Sequence, residues 1–133
     1  MVVSMAGLEH IGFNVNAPVE QAAWFCEHLG MTVARKFGPP QFGHFLADAR
    51  GGMMLEFYHN AAMPVPDYAA LLPMSFHVAF QVDDVASTRE KLLRAGASAE
   101  GDITRNSDGD QIALVRNPWG LTVQLVKRAQ RML

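Results

Sequence analysis

The sequence predicts an α+β fold of two βαβββ modules in tandem, whose curved sheets pair around a cavity. Three observations predict it. HIGFNV from His10 and HVAFQV from His77 are near copies of each other. Each is followed by a helix-like stretch closed by glycine, Gly30 or Gly96, and then by three strand-like runs. Glu56 follows His10 by 46 residues, and Gln124 follows His77 by 47. Self-similarity at a fixed spacing marks a duplicated structural unit.

Taken in order, residues 8–15 read as a strand: Ile11, Phe13 and Val15 alternate with His10, Gly12 and Asn14. His10 therefore looks away from the apolar row. Residues 17–29 read as a helix with Val19, Ala22, Cys26 and Leu29 on one face. Pro18 suits its first turn and Gly30 the left-handed position after its last. MTVARKF, FGHFLADA and MMLEFYH follow as strands, separated by GPP and RGG turns. The second module begins with Val78, Phe80 and Val82 as its apolar row, which leaves His77, Ala79 and Gln81 on the other face. Asp83 or Asp84 can cap a helix to about residue 95, with Val85, Leu92 and Leu93 inward. ASAEGDIT, DQIALVRN and LTVQLVK supply the last strands, with Asp108-Gly109 as the hairpin signal.

The whole of 1–133 reads as one domain: module one over 6–60, a connector over 61–73 and module two over 74–128. Pro64, Pro66 and Pro73 mark the connector, and its Val65, Tyr68, Leu71 and Leu72 suggest that it packs on something. Composition excludes several classes. Half the residues are hydrophobic and 18% are charged, which argues against disorder. A net charge of −2 without a basic cluster leaves no footprint for nucleic acid. No apolar run reaches the length of a membrane span, and no signal-peptide pattern opens the chain. With a lone cysteine, Cys26, the expectation is a cytoplasmic protein.

The chemistry lies in four residues. His10, Glu56, His77 and Gln124 all fall on the strand faces opposite the apolar rows. Two imidazoles with oxygen donors make a candidate divalent metal site, selecting weakly among Ni, Zn, Mn and Fe. Glu56 lies between Leu55 and Phe57 in an expected central strand, where a buried carboxylate needs a partner. Gln124 either ligates or lines the cavity. His28 suits a helix C-terminus, and no role is assigned to His44 or His59. Cys26 reads as a small hydrophobe, and Trp24 and Trp119 as packing and turn residues.

Across residues 8–128 these features resemble the vicinal oxygen chelate superfamily, which includes glyoxalase I, methylmalonyl-CoA epimerase, extradiol dioxygenases and bleomycin-binding proteins. WFCEHLGMTV after the first strand and NPWGLTVQL near the end carry the likeness. The latter is similar to that superfamily's Asp-Pro-x-Gly turn followed by a glutamate-bearing strand. The resemblance implies His10, Glu56 and His77 as metal ligands, with Gln124 where most metal-dependent members have glutamate. Glu56, the only carboxylate of the four, is the candidate catalytic base, and Gln124 removes a second one. Asn60 matches a glutathione-holding position of glyoxalase I-like members, whereas Asn14 stands where their arginine would be. Asn14, Tyr58 and Asn60 are the candidate substrate-binding residues.

The leading expectation is a metal-dependent lyase or isomerase of the glyoxalase-like type. It would act on a small substrate with vicinal oxygens and work as a homodimer. The alternatives are a non-haem iron dioxygenase and a metal-free small-molecule binder of the bleomycin resistance type.

Overall fold

Alternating apolar residues build both modules in the predicted order. The computed structural model describes residues 4–133. Its first module is β1 (His10–Asn14), α1 (Pro18–Leu29), β2 (Thr32–Lys36), β3 (His44–Ala47) and β4 (Met54–Tyr58). The second is β5 (Val78–Gln81), α2 (Val85–Arg94), β6 (Ser98–Arg105), β7 (Gln111–Arg116) and β8 (Thr122–Lys127). The chain divides into two units, one ending at Pro66 and the other beginning at Asp67. The division falls inside the predicted connector, whose residues Tyr68–Ala70 form a single 3₁₀ turn belonging to the second unit.

Each unit holds one four-stranded sheet, in the orders β1-β4-β3-β2 and β5-β8-β7-β6. The first and last strands of each module run parallel, and the remaining pairs are antiparallel. A parallel pair needs a long crossover, and the helix is part of it. This order makes β4 and β8 interior strands, so Glu56 and Gln124 each sit on a strand with neighbours on both sides.

In the first unit α1 covers the face carrying Phe13, Leu46, Leu55 and Phe57, all buried. Phe25 stacks on Phe57 at 5.2 Å between ring centroids, and Phe13 stacks on Phe57 at 5.3 Å. The helix is rotated from the predicted stripe. Pro18, Gln21, Ala22, Trp24 and Phe25 are its buried residues, whereas Val19 is 44% exposed and Cys26 and Leu29 are half-buried. Two aromatic rings remove more apolar area from water than Val19 and Cys26 would, and that difference sets the rotation. Gly30 ends the helix at φ 70°, as expected. Ile11, expected inward, is 43% exposed, because β1 is an edge strand.

In the second unit Val85 and Leu92 of α2 are buried, as are Ala113, Val115, Val123 and Leu125 on the sheet. Asp84 is the cap, accepting from the Ser87 backbone N–H at 2.9 Å. Asn106 organises the β6–β7 hairpin, its Oδ1 accepting from the Asp108 and Asp110 backbone N–H groups. All of Thr122–Val126 is buried, so β8 is covered on both faces.

Asp110 ties the end of the chain to this hairpin. It accepts from the Ala129 backbone N–H at 2.8 Å, from Asn106 at 3.2 Å and from Arg128 at 3.0 Å. Chiefly the Ala129 bond, then Asn106 and less strongly Arg128, hold its carboxyl below the usual range, against an opposing effect of desolvation. The folded state then binds its proton less readily than the unfolded chain. The resulting stability is present above the ordinary carboxylate pKa, about 3.9, and is lost as pH falls through the depressed folded value. Asp110→Asn is expected to flatten the acid limb of the stability–pH profile below about pH 4. Urea midpoints measured from pH 2.5 to 6 check this, and an unchanged acid limb would exclude the linkage.

Candidate functional site

The sheet face turned away from α1 carries the first part of the site. β1 and β4 run parallel with Gly12 opposite Glu56 and His10 opposite Met54. His10 therefore lies two residue pairs along from Glu56, on the same face, and its Nε2 comes within 3.7 Å of Glu56 Oε1. His10 Nδ1 donates to Glu9 Oε1 at 2.9 Å. A carboxylate can only accept, so the proton of a neutral ring sits on Nδ1 and the Nε2 lone pair faces Glu56. An outer partner on the far nitrogen is the usual arrangement of a metal-binding imidazole.

Two glycines border the carboxylate. A Cβ at position 12 would lie 3.4 Å from Glu56 Oε1 and 3.3 Å from the Tyr58 ring. One at position 43 would lie 3.8 Å from Glu56 Oε2 and 3.6 Å from Phe37. The carboxylate thus has open space on two sides. Its side chain is 22% exposed, where the sequence predicted a buried carboxylate, so solvation removes part of its need for a partner. The wall beside it is aromatic. Phe45 packs edge-on to the His10 ring at 5.2 Å and to Phe37 at 6.3 Å, and Phe37 is 53% exposed.

The second unit repeats the register. Ala79 stands opposite Gln124 as Gly12 stands opposite Glu56, and His77 precedes Ala79 by two residues as His10 precedes Gly12. His77 Nδ1 donates to the Pro73 carbonyl at 2.8 Å, which again leaves the Nε2 lone pair without a partner among the described residues. Gln124 is buried, and its amide makes no hydrogen bond among the described residues. Thr122, two residues before Gln124 on the same strand face, has a buried hydroxyl without a partner among those residues. An orphaned hydroxyl on the face of a potential ligand is the kind of feature a bound group would relieve.

The structure brings His10 together with Glu56, in one unit, and keeps His77 and Gln124 in the other. Among the described residues no three His, Cys, Asp or Glu side chains gather in one group. The donors present nonetheless suit a divalent ion. Two ligands with bonds of about 2.0–2.2 Å lie roughly 3.0–3.5 Å apart, and 3.7 Å reaches that range by a small side-chain rotation.

The substrate-binding candidates divide. Asn14 gives both amide protons to backbone, at the Asn60 carbonyl (3.2 Å) and the Met63 carbonyl (3.3 Å). Its Oδ1 accepts from the Asn60 N–H at 2.8 Å. It is a clamp on the segment after β4, which the sequence did not reveal, because the partners are backbone groups 46 and 49 residues away. Asn60 Oδ1 accepts from the Ala62 N–H, while its amide nitrogen and the Tyr58 hydroxyl have no partner among the described residues.

A separate cleft of about 610 Å³ lies on the helix side, lined by Val19, Cys26, Val33, Lys36 and His44 among others. A bulge between Val33 and Arg35 sets Lys36 opposite His44 there. Burial raises the Cys26 thiol pKa, which lowers its thiolate fraction.

Comparison with known proteins follows the geometry. The family model of the Glyoxalase/Bleomycin resistance protein/Dioxygenase superfamily matches residues 7–125. No curated protein matches the chain. Among solved structures, a glyoxalase family protein from Bacillus cereus superposes with a TM-score of 0.74 at 14% identity, covering 98% of this chain and 97% of that one. An antibiotic binding protein from a Streptomyces species gives 0.71 at 14% identity, covering 96% and 100%. A glyoxalase I mutant from Zea mays gives 0.75 at 22% identity, covering 93% of this chain and 46% of that one. These likenesses establish the fold. No helix here is long and apolar enough to cross a membrane, among the described residues.

Proposed function

We propose, for a chain that belongs to the Glyoxalase/Bleomycin resistance protein/Dioxygenase superfamily, that it is a metal-dependent lyase or isomerase acting on a small substrate with adjacent oxygens. The observation that carries this reading is the 3.7 Å approach of His10 Nε2 to Glu56 Oε1, with the ring's other nitrogen held by Glu9. Each module would contribute one imidazole and one oxygen donor: His10 with Glu56, and His77 with Gln124. A bound Ni, Zn, Mn or Fe ion would polarise the substrate carbonyl and offset negative charge developing on its oxygens.

The protein's own groups do the rest. Glu56 is the only carboxylate of the four and therefore the base. It would take the proton from the hydroxyl-bearing carbon beside the carbonyl and return it to the former carbonyl carbon, while the hydroxyl proton passes to the former carbonyl oxygen, so that the carbonyl moves by one carbon and the atom count is unchanged. Gly12 and Gly43 leave the room in which that carboxylate swings toward the substrate. The Tyr58 hydroxyl and the Asn60 amide nitrogen are free to donate to substrate oxygens. Phe37 and Phe45 form an aromatic wall on one side that fits a flat or apolar substrate portion. The functional form is a cytoplasmic homodimer.

Metal analysis of protein purified without chelators tests this, with sedimentation of the same preparation. About one divalent ion per site and a dimer at micromolar concentration are expected. No ion after reconstitution with any of the four metals would overturn the reading in favour of a second, a metal-free small-molecule binder. The exposed aromatic rim at Phe37 and the likeness to an antibiotic binding protein favour that second reading. Oxygen uptake with Fe²⁺ would point to a dioxygenase instead.

A further inference from the structure

The segment leading into His77 is held by the turn between β7 and β8. Arg116, at the end of β7, has a side chain only 14% exposed and spends its guanidinium on four acceptors. Nε donates to Glu100 Oε1, Nη1 to the carbonyls of Tyr68 (3.2 Å) and Gly120 (3.1 Å), and Nη2 to the Leu71 carbonyl (2.9 Å). Gly120 lets the same segment come close. At its φ of 90°, an added Cβ would lie 2.7 Å from the Ala69 Cβ and 3.1 Å from the Ala69 backbone. Asn117 stiffens the turn from within, its Oδ1 accepting from the Trp119 and Leu121 N–H groups.

Directly after Leu71 the chain turns once more. The N–H groups of Ser75 and Phe76 both donate to the Leu72 carbonyl, at 2.9 and 3.3 Å. That turn sets the Pro73 carbonyl where His77 Nδ1 donates to it. The links from guanidinium to imidazole are continuous. Arg116 fixes the Tyr68 and Leu71 carbonyls, the next turn starts at Leu72, and Pro73 within it holds the ring.

We propose that Arg116 is a positioning residue that sets the His77 tautomer, through the Tyr68–Phe76 segment it clamps against the Asn117–Gly120 turn. Its rigid fork suits this, since a lysine at the same place could keep a charge beside Glu100 but could not reach Tyr68, Leu71 and Gly120 together. The functional consequence rests on the proposed ligand role of His77, because only the Nδ1–H tautomer leaves Nε2 able to bind. The tautomer itself is a property of the protein without metal.

The test is the imidazole nitrogen spectrum of ¹⁵N-histidine-labelled, metal-free protein at a pH where the rings are neutral. In wild type, His77 is expected as the Nδ1–H form. Arg116→Gln and Arg116→Lys are each expected to raise the ratio of Nε2–H to Nδ1–H at His77 roughly fivefold, the value of one ordinary hydrogen bond. His44 and His59 serve as internal controls, since their Nδ1 atoms donate to the Phe42 and Val15 carbonyls of the other unit. They are expected not to move. An unchanged His77 in both variants would overturn the proposal, as would a shift shared by all three rings. A moved tautomer in a protein that binds no metal would leave this inference standing and remove the metal reading alone.

Discussion

Glu56→Gln is expected to lower the affinity for divalent metal by more than about tenfold and to abolish turnover. The substitution keeps the shape of the side chain and removes its charge, leaving two imidazoles and two amides as donors. It also deletes the only carboxylate of the four and with it the proposed base. The reciprocal change gives the opposite sign: Gln124→Glu adds a second carboxylate and is expected to tighten the metal. Gln124→Ala should weaken it only modestly, since a water can fill the vacated position. Metal content after dialysis and thermal shift with added metal, measured for all three variants, form one comparison. Equal metal occupancy in wild type and Glu56→Gln would remove Glu56 as a major ligand. Retained turnover in a metal-loaded Glu56→Gln protein would instead remove it as the base.

Phe25→Ala is expected to destabilise the protein by about 3–5 kcal/mol. Phe25 is fully buried, stacks on Phe57 and meets Trp24 edge-on at 5.3 Å. Truncation removes the ring that couples α1 to β4 and leaves a cavity between them. Against a total stability of ordinarily 5–15 kcal/mol, that loss is a large fraction. Phe25→Leu should cost less, because most of the volume stays. Urea denaturation of the three proteins measures both. A loss below about 1 kcal/mol for Phe25→Ala would mean that the helix is held mainly elsewhere. The link to function is direct, since Phe57 and Glu56 are neighbours on β4. A loosened β4 also disturbs the register that sets Gly12 opposite Glu56.

The element order was legible in the sequence because strand alternation and helix punctuation are local signals. His10 and Glu56 were legible as a pair for the same reason: in a parallel register of two strands, alternation alone assigns them to one face. The equivalence of His77 and Gln124 followed from the repeat, and the Ala79–Gln124 register agrees with it.

Other features depended on contacts between residues far apart in the chain. The helix stripe was misread because hydrophobic spacing does not say which of two overlapping faces buries more area, and the aromatic pair Trp24 and Phe25 decided it. That the Asn14 amide is engaged by the Asn60 and Met63 carbonyls was not legible either. Arg116 carried no sequence signal at all, because its partners are carbonyls, which every residue has. The sequence by itself determined the duplicated fold, the strand faces and the four polar residues on them. Only the tertiary structure decided how open the Glu56 carboxylate is, which nitrogen each histidine presents, and what holds His77. Periodicity fixes the direction of a side chain, but hydrogen-bond partners and exposure are set by whichever distant backbone folds against it.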